Sequence, residues 1–104
     1  MAWVLLTVAG LLEVVWAAAM KASDGFTRVG PTILMVVAMG ISIWMLAYAM
    51  RSLPLGTAYA VWVGIGALGA FIVGIGFWNE PVNALRIGSA ALILLGIIGL
   101  KVSA

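Results

Sequence analysis

One acidic residue stands inside a long apolar segment near the start of this chain, where Glu13 lies between Leu12 and Val14. Placing a charged side chain near the middle of a bilayer costs about 2.5–3.5 kcal/mol even on mild insertion scales. Carboxylates found at such positions commonly mark ion pathways or proton relays. The alternative is a protonated glutamic acid that only hydrogen-bonds a neighbouring helix. We therefore predict that Glu13 binds a proton or a cation.

Residues near Glu13 on a helical wheel support this prediction. Gly10 lies beside Glu13, and Trp16 lies at the edge of the same face. A residue without a side chain leaves space for a group to approach the carboxylate. In the second apolar segment Ser42 falls near mid-depth, where its hydroxyl can donate to a carboxylate or bond back to its own helix. Gly10 and Trp16 are thus candidates to line the site, and both roles stay open for Ser42.

Two aromatic residues of the third apolar segment, Tyr59 and Trp62, share one stripe. Their rings offer faces to a cation, and both side chains carry a hydrogen-bond donor. The alternative role is anchoring at the membrane surface, where Tyr and Trp are enriched. Anchoring fits Tyr59 better than Trp62, because Trp62 lies deeper. Trp62 is therefore the stronger candidate for the site, and both roles stay open for Tyr59.

The elements that must position these residues follow from composition, since 66% of the 104 residues are hydrophobic and only 8% are charged. A domain of this size cannot bury so much apolar surface, so lipid must be its main solvent. A spanning helix needs about 20 apolar residues, and no apolar run shows the period-2 alternation of strands. We predict an all-α membrane protein with a single transmembrane domain over residues 1–104. Its four helices are expected at about 2–20, 31–50, 57–77 and 84–102.

Several classes of function are excluded by residues that the chain lacks. It has no cysteine and no histidine, so it cannot form disulfides or assemble Ser/His/Asp or Cys/His catalytic groups. We expect no metal site, no cofactor and no enzymatic activity. The net charge of +2 reflects a few loop charges, so we expect no nucleic-acid partner. No basic residue precedes the first segment and Glu13 interrupts it, so we do not expect a cleaved signal peptide.

The basic residues give almost no preference for one orientation in the membrane. Lys21, Arg28 and Arg86 fall on one side, while Arg51 and Lys101 fall on the other. The positive-inside rule needs a larger asymmetry to fix the topology. Copies inserted in both orientations can form an antiparallel dimer, which is the geometry that inverted repeats give to larger transporters.

Small residues in the last two segments indicate close helix packing. The pattern Gly64-Ile65-Gly66-Ala67-Leu68-Gly69 matches a dinucleotide-binding motif in its letters, but no strand precedes it and it lies in a membrane segment. We interpret its glycines as sites of close packing or bending. Ser89, Gly96 and Gly99 form a second small stripe, which predicts a helix-pairing face and a dimer contact.

A buried carboxylate with no lysine or arginine at its depth needs a counter-charge. Either a proton or a cationic substrate can supply it, so the two compete for Glu13. If the site opens alternately to the two sides of the membrane, this competition produces antiport. Such a mechanism uses protons as the coupling ion and needs no nucleotide.

The sequence resembles the small multidrug resistance family over nearly its whole length. The resemblance is carried by the four short helices, the lone Glu13 of the first helix, and the segment 56–62, Gly-Thr-Ala-Tyr-Ala-Val-Trp. Within that family it is most similar to the guanidinium exporters (the Gdx subtype), through residues 13–17 (Glu-Val-Val-Trp-Ala), Ser42, residues 53–57 and residues 96–101. The exporters of quaternary ammonium drugs typically lack a Trp one turn after the glutamate.

This resemblance implies a function and an assembly. It implies an antiparallel, dual-topology homodimer that exchanges a guanidinium-type cation for protons across a bacterial inner membrane. It also implies a site made of Glu13, Trp16, Ser42, Tyr59 and Trp62, with Gly10 beside it. Val63 departs from the family pattern, in which a hydroxyl residue such as Thr is expected. Its apolar side chain predicts tolerance of substituted guanidinium ions.

Three alternatives remain open on the sequence. The chain can be a quaternary ammonium or multidrug exporter of the same family, against which Trp16 and Ser42 argue. It can be one subunit of a heterodimeric exporter, although a fixed partner usually requires a clearer charge bias. It can be a small structural or regulatory membrane subunit, in which replacing Glu13 by Gln is harmless. A channel has little support, because the chain has no polar stripe to line a wet pore.

Overall fold

The computed structural model describes residues 1–103, which form four α-helices and contain no strand. Each helix is long and apolar enough to cross a membrane, and this confirms the predicted all-α membrane class. A membrane favours helices because each backbone donor and acceptor is paired within its own segment. The four helices are α1 (Ala2–Ala22), α2 (Val29–Ala49), α3 (Leu55–Trp78) and α4 (Ala84–Ser103).

Helix α1 continues two residues beyond its expected end, and the side chain of Ser23 then stops it. The Ser23 hydroxyl donates to the carbonyl of Met20 (2.6 Å) and accepts the backbone N–H of Phe26 (3.0 Å). Residues 24–26 all have positive φ, which turns the chain sharply towards α2. The buried hydroxyl therefore satisfies backbone groups that the end of the helix leaves free.

The other boundaries are set by residues with special backbone preferences. Pro31 lies in the first turn of α2, where its missing N–H has no partner to lose. Pro54 caps α3 in an extended conformation, so that helix starts two residues earlier than expected. Asn79 ends α3 in the left-handed conformation. The Asn83 side chain accepts the backbone N–H of Arg86 (2.9 Å) at the start of α4.

The hydrophobic core belongs to α1, α2 and α3. Helix α1 packs against both α2 and α3, whereas α4 packs against α3 and has no buried residue over Ala84–Ser103. Many core positions carry small side chains, which let the backbones approach closely in a membrane. The core cluster consists of Leu6, Ala9, Leu46, Ala49, Ala58, Val61 and Trp62.

Glycines set the contacts along α3. A Cβ at Gly64 would lie 2.8 Å from the Ile97 side chain of α4, and one at Gly69 would overlap Val14 of α1. The interpretation of the glycine pattern at 64–69 as helix packing is thus supported. Conversely, Ile65 of α3 packs on Gly10 of α1, where an added Cβ would lie 2.6 Å from the Ile65 side chain.

Charged side chains hold the two ends of α4. Arg86 lies over the Phe71 ring (5.1 Å to its centroid), and its guanidinium is 3.5 Å from the Glu80 carboxylate. At the other end Lys101 lies over the Trp3 ring (5.7 Å). The four helices form a flat arrangement with principal extents of 41 × 35 × 16 Å.

Candidate functional site

Glu13 lies in the middle of α1 and points its carboxylate against α3. A Cβ at Gly66 would overlap that carboxylate, so the glycine makes the room that the side chain occupies. Oxygen Oε1 of Glu13 is buried and has no hydrogen-bond partner among residues 1–103. A buried acceptor without a partner is costly, so this atom is available to a proton or to a ligand that donates hydrogen bonds.

Trp16 lies three residues after Glu13 and is partly buried. Its indole nitrogen Nε1 is likewise buried with no hydrogen-bond partner in the described part of the chain. One helical turn of α1 thus carries an unsatisfied acceptor and an unsatisfied donor, next to an aromatic face. These two predicted residues are three positions apart on α1, and each has one buried polar atom without a partner in the described part of the chain.

Ser42 connects three helices. Its hydroxyl donates to the Ala9 carbonyl of α1 (2.7 Å) and accepts the indole N–H of Trp62 from α3 (3.0 Å). Both roles that the sequence left open, a bond to the carboxylate and a bond to its own helix, differ from the contact found. In an α-helix the Ala9 carbonyl also accepts the backbone N–H of Glu13. Ser42 therefore fixes the backbone that carries Glu13 rather than its carboxylate.

Of the two aromatic residues of α3 that the sequence predicts for the site, one is buried and the other is exposed. Trp62 is 7% exposed and uses its N–H on Ser42, whereas Tyr59 is 52% exposed. Their ring centroids are 5.7 Å apart at a tilt of 46°. Within one copy of the chain, Trp62 thus belongs to the hydrophobic core of α1–α3, while Tyr59 and the 39% exposed Val63 face outwards.

Gly10 and Gly66 have similar structural roles, although the sequence singled out only Gly10 as a lining residue. Gly10 is buried beneath Ile65, so in a single copy it contacts α3 rather than open space. Gly66 is the residue that touches the carboxylate, and no motif assigned it to the site. The available signal was its helical phase: it lies one turn after Trp62 on the same face of α3.

The assembled residues suit a compact cation that donates hydrogen bonds. A carboxylate accepts a fork of N–H groups, and indole rings attract positive charge to their faces. Residues 1–103 contain no group of three or more His, Cys, Asp or Glu side chains that can hold a metal ion.

These features define a small four-helix membrane protein with one carboxylate inside the bilayer, and comparison with known proteins assigns its family. Residues 1–98 match the sequence pattern described as Small Multidrug Resistance protein. The chain belongs to the small multidrug resistance family, and it is a multi-pass transport protein of the bacterial inner membrane.

The similar relatives have one name in common. The chain is 57% identical over 103 residues to a protein named Guanidinium exporter from Escherichia coli (strain K12), covering 99% of this chain and 98% of that protein. A Guanidinium exporter of Yersinia pestis is also 57% identical, with 99% of both chains covered. One from Citrobacter freundii is 56% identical over 99% of this chain and 98% of its own.

Proposed function

We propose that this chain is a proton-coupled antiporter that exports guanidinium and small substituted guanidinium ions. The observation that carries the proposal is the buried, unpartnered carboxylate oxygen of Glu13 inside a membrane-spanning helix. The names of relatives at 56–57% identity over nearly the whole chain support guanidinium as the substrate.

Guanidinium suits the groups around Glu13. The ion is planar, permanently charged and rich in N–H donors, so a carboxylate can bind two of its N–H groups in a fork. The Trp16 ring lies within one turn of Glu13 and can cover the face of the ion. Because its N–H is free, Trp16 can also donate to a neighbouring group, whereas the Trp62 N–H already serves Ser42.

Competition at Glu13 couples the two fluxes. A protonated Glu13 has no charge to offer guanidinium, and a bound guanidinium stabilises the ionised carboxylate and so weakens its affinity for a proton. If the site exchanges sides only when occupied, protons entering down their gradient drive guanidinium out. No cofactor takes part in this cycle.

The working unit in this proposal is an antiparallel homodimer. A single copy is only 16 Å thick along its shortest axis, leaves Tyr59 exposed and buries no residue of α4. A second copy can cover the exposed small residues of α4, Ser89, Gly96 and Gly99. The nearly balanced basic residues allow the two copies to insert in opposite orientations.

Transport by the purified protein in proteoliposomes tests the proposal. We expect guanidinium to drive an electrical current on a solid-supported membrane, and we expect Glu13→Gln to abolish it. Asp24→Asn, which removes a carboxylate from the α1–α2 connection, is the matched control and should retain the current. A current with quaternary ammonium ions but none with guanidinium would assign the chain to the drug-exporting branch. Unchanged current in Glu13→Gln would refute the role of Glu13.

Equilibrium binding at several pH values tests the proton competition. Protonation removes the counter-charge that guanidinium needs, so its apparent affinity should fall as the pH is lowered. The limiting slope is about tenfold per pH unit for each competing proton. Tryptophan fluorescence of the detergent-solubilised protein can report binding through Trp16. An affinity that is independent of pH would contradict competition for one carboxylate.

Val63 provides a test of substrate breadth. Val63 follows Trp62 directly in α3, and its exposed side chain adds apolar surface to the outside of a single copy. We expect Val63→Thr to weaken transport of alkyl-substituted guanidinium ions relative to guanidinium itself. An unchanged ratio of the two currents would remove Val63 as a determinant of selectivity.

A further inference from the structure

Helices α3 and α4 touch at Gly64 but leave a cavity between them nearer the connection that joins them. At Gly64 a Cβ would lie 2.8 Å from the Ile97 side chain, so the two helices are close there. Towards the connection, a cavity of about 370 Å³ lies between the same helices. Small side chains leave this space open, namely Ala67 of α3 and Ala90 of α4. The volume falls within the range of about 300–1,000 Å³ that is usual for ligand pockets.

The cavity is apolar over most of its lining and opens to the outside of a single copy. Arg86 and Ser89 are the two polar residues that line it, and the Ser89 hydroxyl already donates to the Leu85 carbonyl of its own helix (2.8 Å). Leu85, which also lines the cavity, is 81% exposed. Both helices are long and apolar enough to span a membrane, so acyl chains surround this opening. An apolar chain can therefore enter between α3 and α4.

Arg86 lies at the surface end of the cavity and carries a donor that has no acceptor. Its guanidinium lies over the Phe71 ring (5.1 Å to the centroid) and meets the Glu80 carboxylate through Nη2 at 3.5 Å, which is a long contact. Its Nε is buried and has no hydrogen-bond partner among residues 1–103. A buried donor without an acceptor is costly, and more so on a charged group. The cavity therefore lacks an oxygen acceptor beside Arg86.

A phospholipid of the surrounding bilayer supplies both the acceptor and the apolar chain. Arg86 is the third residue of α4, which places it near the level of the headgroups. A guanidinium binds phosphate oxygens through charge-assisted hydrogen bonds from several N–H groups. An acyl chain of the same molecule can follow the apolar lining from Phe71 towards Ile93. Basic pockets between membrane helices hold lipid headgroups in the same way.

The second copy of the proposed dimer has no acidic side chain to offer Arg86. In an antiparallel dimer, the membrane surface that carries Arg86 of one copy also carries the α2–α3 connection and the end of α4 of the other. Arg51 and Lys101 are the charged side chains of those two regions, and both repel a guanidinium. None of the three acidic residues of the chain lies at that end. Charge complementarity therefore favours a lipid phosphate over the second copy.

We propose that the cavity between α3 and α4 binds one phospholipid, with its phosphate on the Arg86 guanidinium and an acyl chain along the cavity. The phosphate accepts the buried Nε–H, while Glu80 keeps its contact with Nη2. The lipid fills the space between the two helices on the side of their connection, away from the contact at Gly64. This site lies within one copy of the chain and does not depend on the proposed antiport.

Lipid binding by the purified protein tests this site. Phosphatidylglycerol is titrated into the detergent-solubilised protein, and native mass spectrometry counts the lipid molecules retained per copy. We expect one high-affinity lipid per copy in the parent and about a tenfold loss of that affinity in Arg86→Gln, which removes a charge-assisted contact. Arg28→Gln is the matched control, because it removes the same charge from the same end, while Arg28 does not line the cavity. Its lipid affinity should equal that of the parent.

A second pair of variants tests the cavity without changing a charge. Ala90→Leu fills the cavity and should weaken lipid binding as Arg86→Gln does, whereas Ala91→Leu lies outside the lining and should bind lipid as the parent does. Equal lipid affinity in the parent, Arg86→Gln and Ala90→Leu overturns the proposal. Equal losses in Arg86→Gln and Arg28→Gln also overturn it, because they indicate a general attraction of anionic lipid to a basic surface. If Ala90→Leu dissociates the dimer but keeps the lipid affinity of the parent, the second copy fills the cavity and the proposal is wrong.

Discussion

Helices α1–α3 and helix α4 are equally apolar in sequence but differ sharply in packing. The first three helices and the turn at Ser23 contain every buried residue in the described part of the chain, and α4 contains none. Helix α4 rests on Gly64 of α3 and is held at its ends by Arg86 and Lys101. The comparison separates a unit that builds the Glu13 site from a helix that faces lipid or a partner.

This difference does not make α4 unstable in a membrane. Lipid tails are as apolar as leucine, so exposing leucine to them carries no hydrophobic penalty. Packing, small residues and polar contacts decide where helices associate. In a single copy, substitutions in α1–α3 should therefore lower the free energy of unfolding much more than substitutions in α4.

The largest contrast is expected for two leucines. Leu6 is fully buried in the core, whereas Leu94 of α4 is 49% exposed. Leu6→Ala leaves a cavity and should lower the free energy of unfolding by about 2–5 kcal/mol. Leu94→Ala should change it by well under half as much. Reversible unfolding in detergent measures both, and equal losses would show that α4 is packed as tightly as the core.

Two glycines give the next contrast. Gly66→Ala places a methyl group where the Glu13 carboxylate lies, so the carboxylate must move. We expect guanidinium transport to fall about tenfold to a hundredfold, because small displacements of a binding group are costly. Gly88→Ala in α4 adds a methyl that meets nothing within 4 Å in one copy. Its transport rate should equal that of the parent, and a deficit would place Gly88 in an interface.

Two serines give a smaller contrast. Ser42→Ala removes the bond to Ala9 and leaves the buried Trp62 N–H without a partner, which should cost about 1–2 kcal/mol of unfolding free energy. Ser89 of α4 is exposed and bonds only to the Leu85 carbonyl of its own helix (2.8 Å). Ser89→Ala should be neutral within error. If both variants lost similar amounts of unfolding free energy, the hydrogen bonds of Ser42 between helices would not be stabilising the fold as described.

The smallest effect is expected for the ion pair between Arg86 and Glu80 at the start of α4. Arg86 and Glu80 are partly exposed and meet at 3.5 Å, and such ion pairs contribute about 0–1 kcal/mol. Arg86→Gln should lower unfolding free energy by no more than that amount, and added salt should diminish the difference. A loss as large as that of Leu6→Ala would mean that the end contacts, rather than Gly64, hold α4 in place.

The sequence could predict the four helices and Glu13 because lipid imposes strict local rules. Each span must be about 20 apolar residues long, and a charge inside one is conspicuous. The boundaries shifted by one or two residues where Ser23 and Pro54 cap helices, since such caps depend on backbone conformation. The basic residues lie near the ends of the helices and gave no preferred orientation.

Partners across helices could not be predicted, because they depend on how α1, α2 and α3 turn towards one another. A wheel shows that Ser42 and Trp62 lie on inner faces, but it does not show that they bond to each other and to Ala9. The contact of Gly66 with the site could not be predicted for the same reason. Its importance comes from an atom of another helix, the Glu13 carboxylate, which occupies the space of its missing Cβ.

The sequence by itself determined that this protein spans a membrane four times with one carboxylate inside, since composition and segment length alone decide both. Only the tertiary structure decided where that carboxylate lies, which glycine makes room for it, and that Ser42 bonds to both Ala9 and Trp62. The reason is physical: hydropathy is a property of each segment, whereas contact between helices depends on the shapes of both surfaces at once.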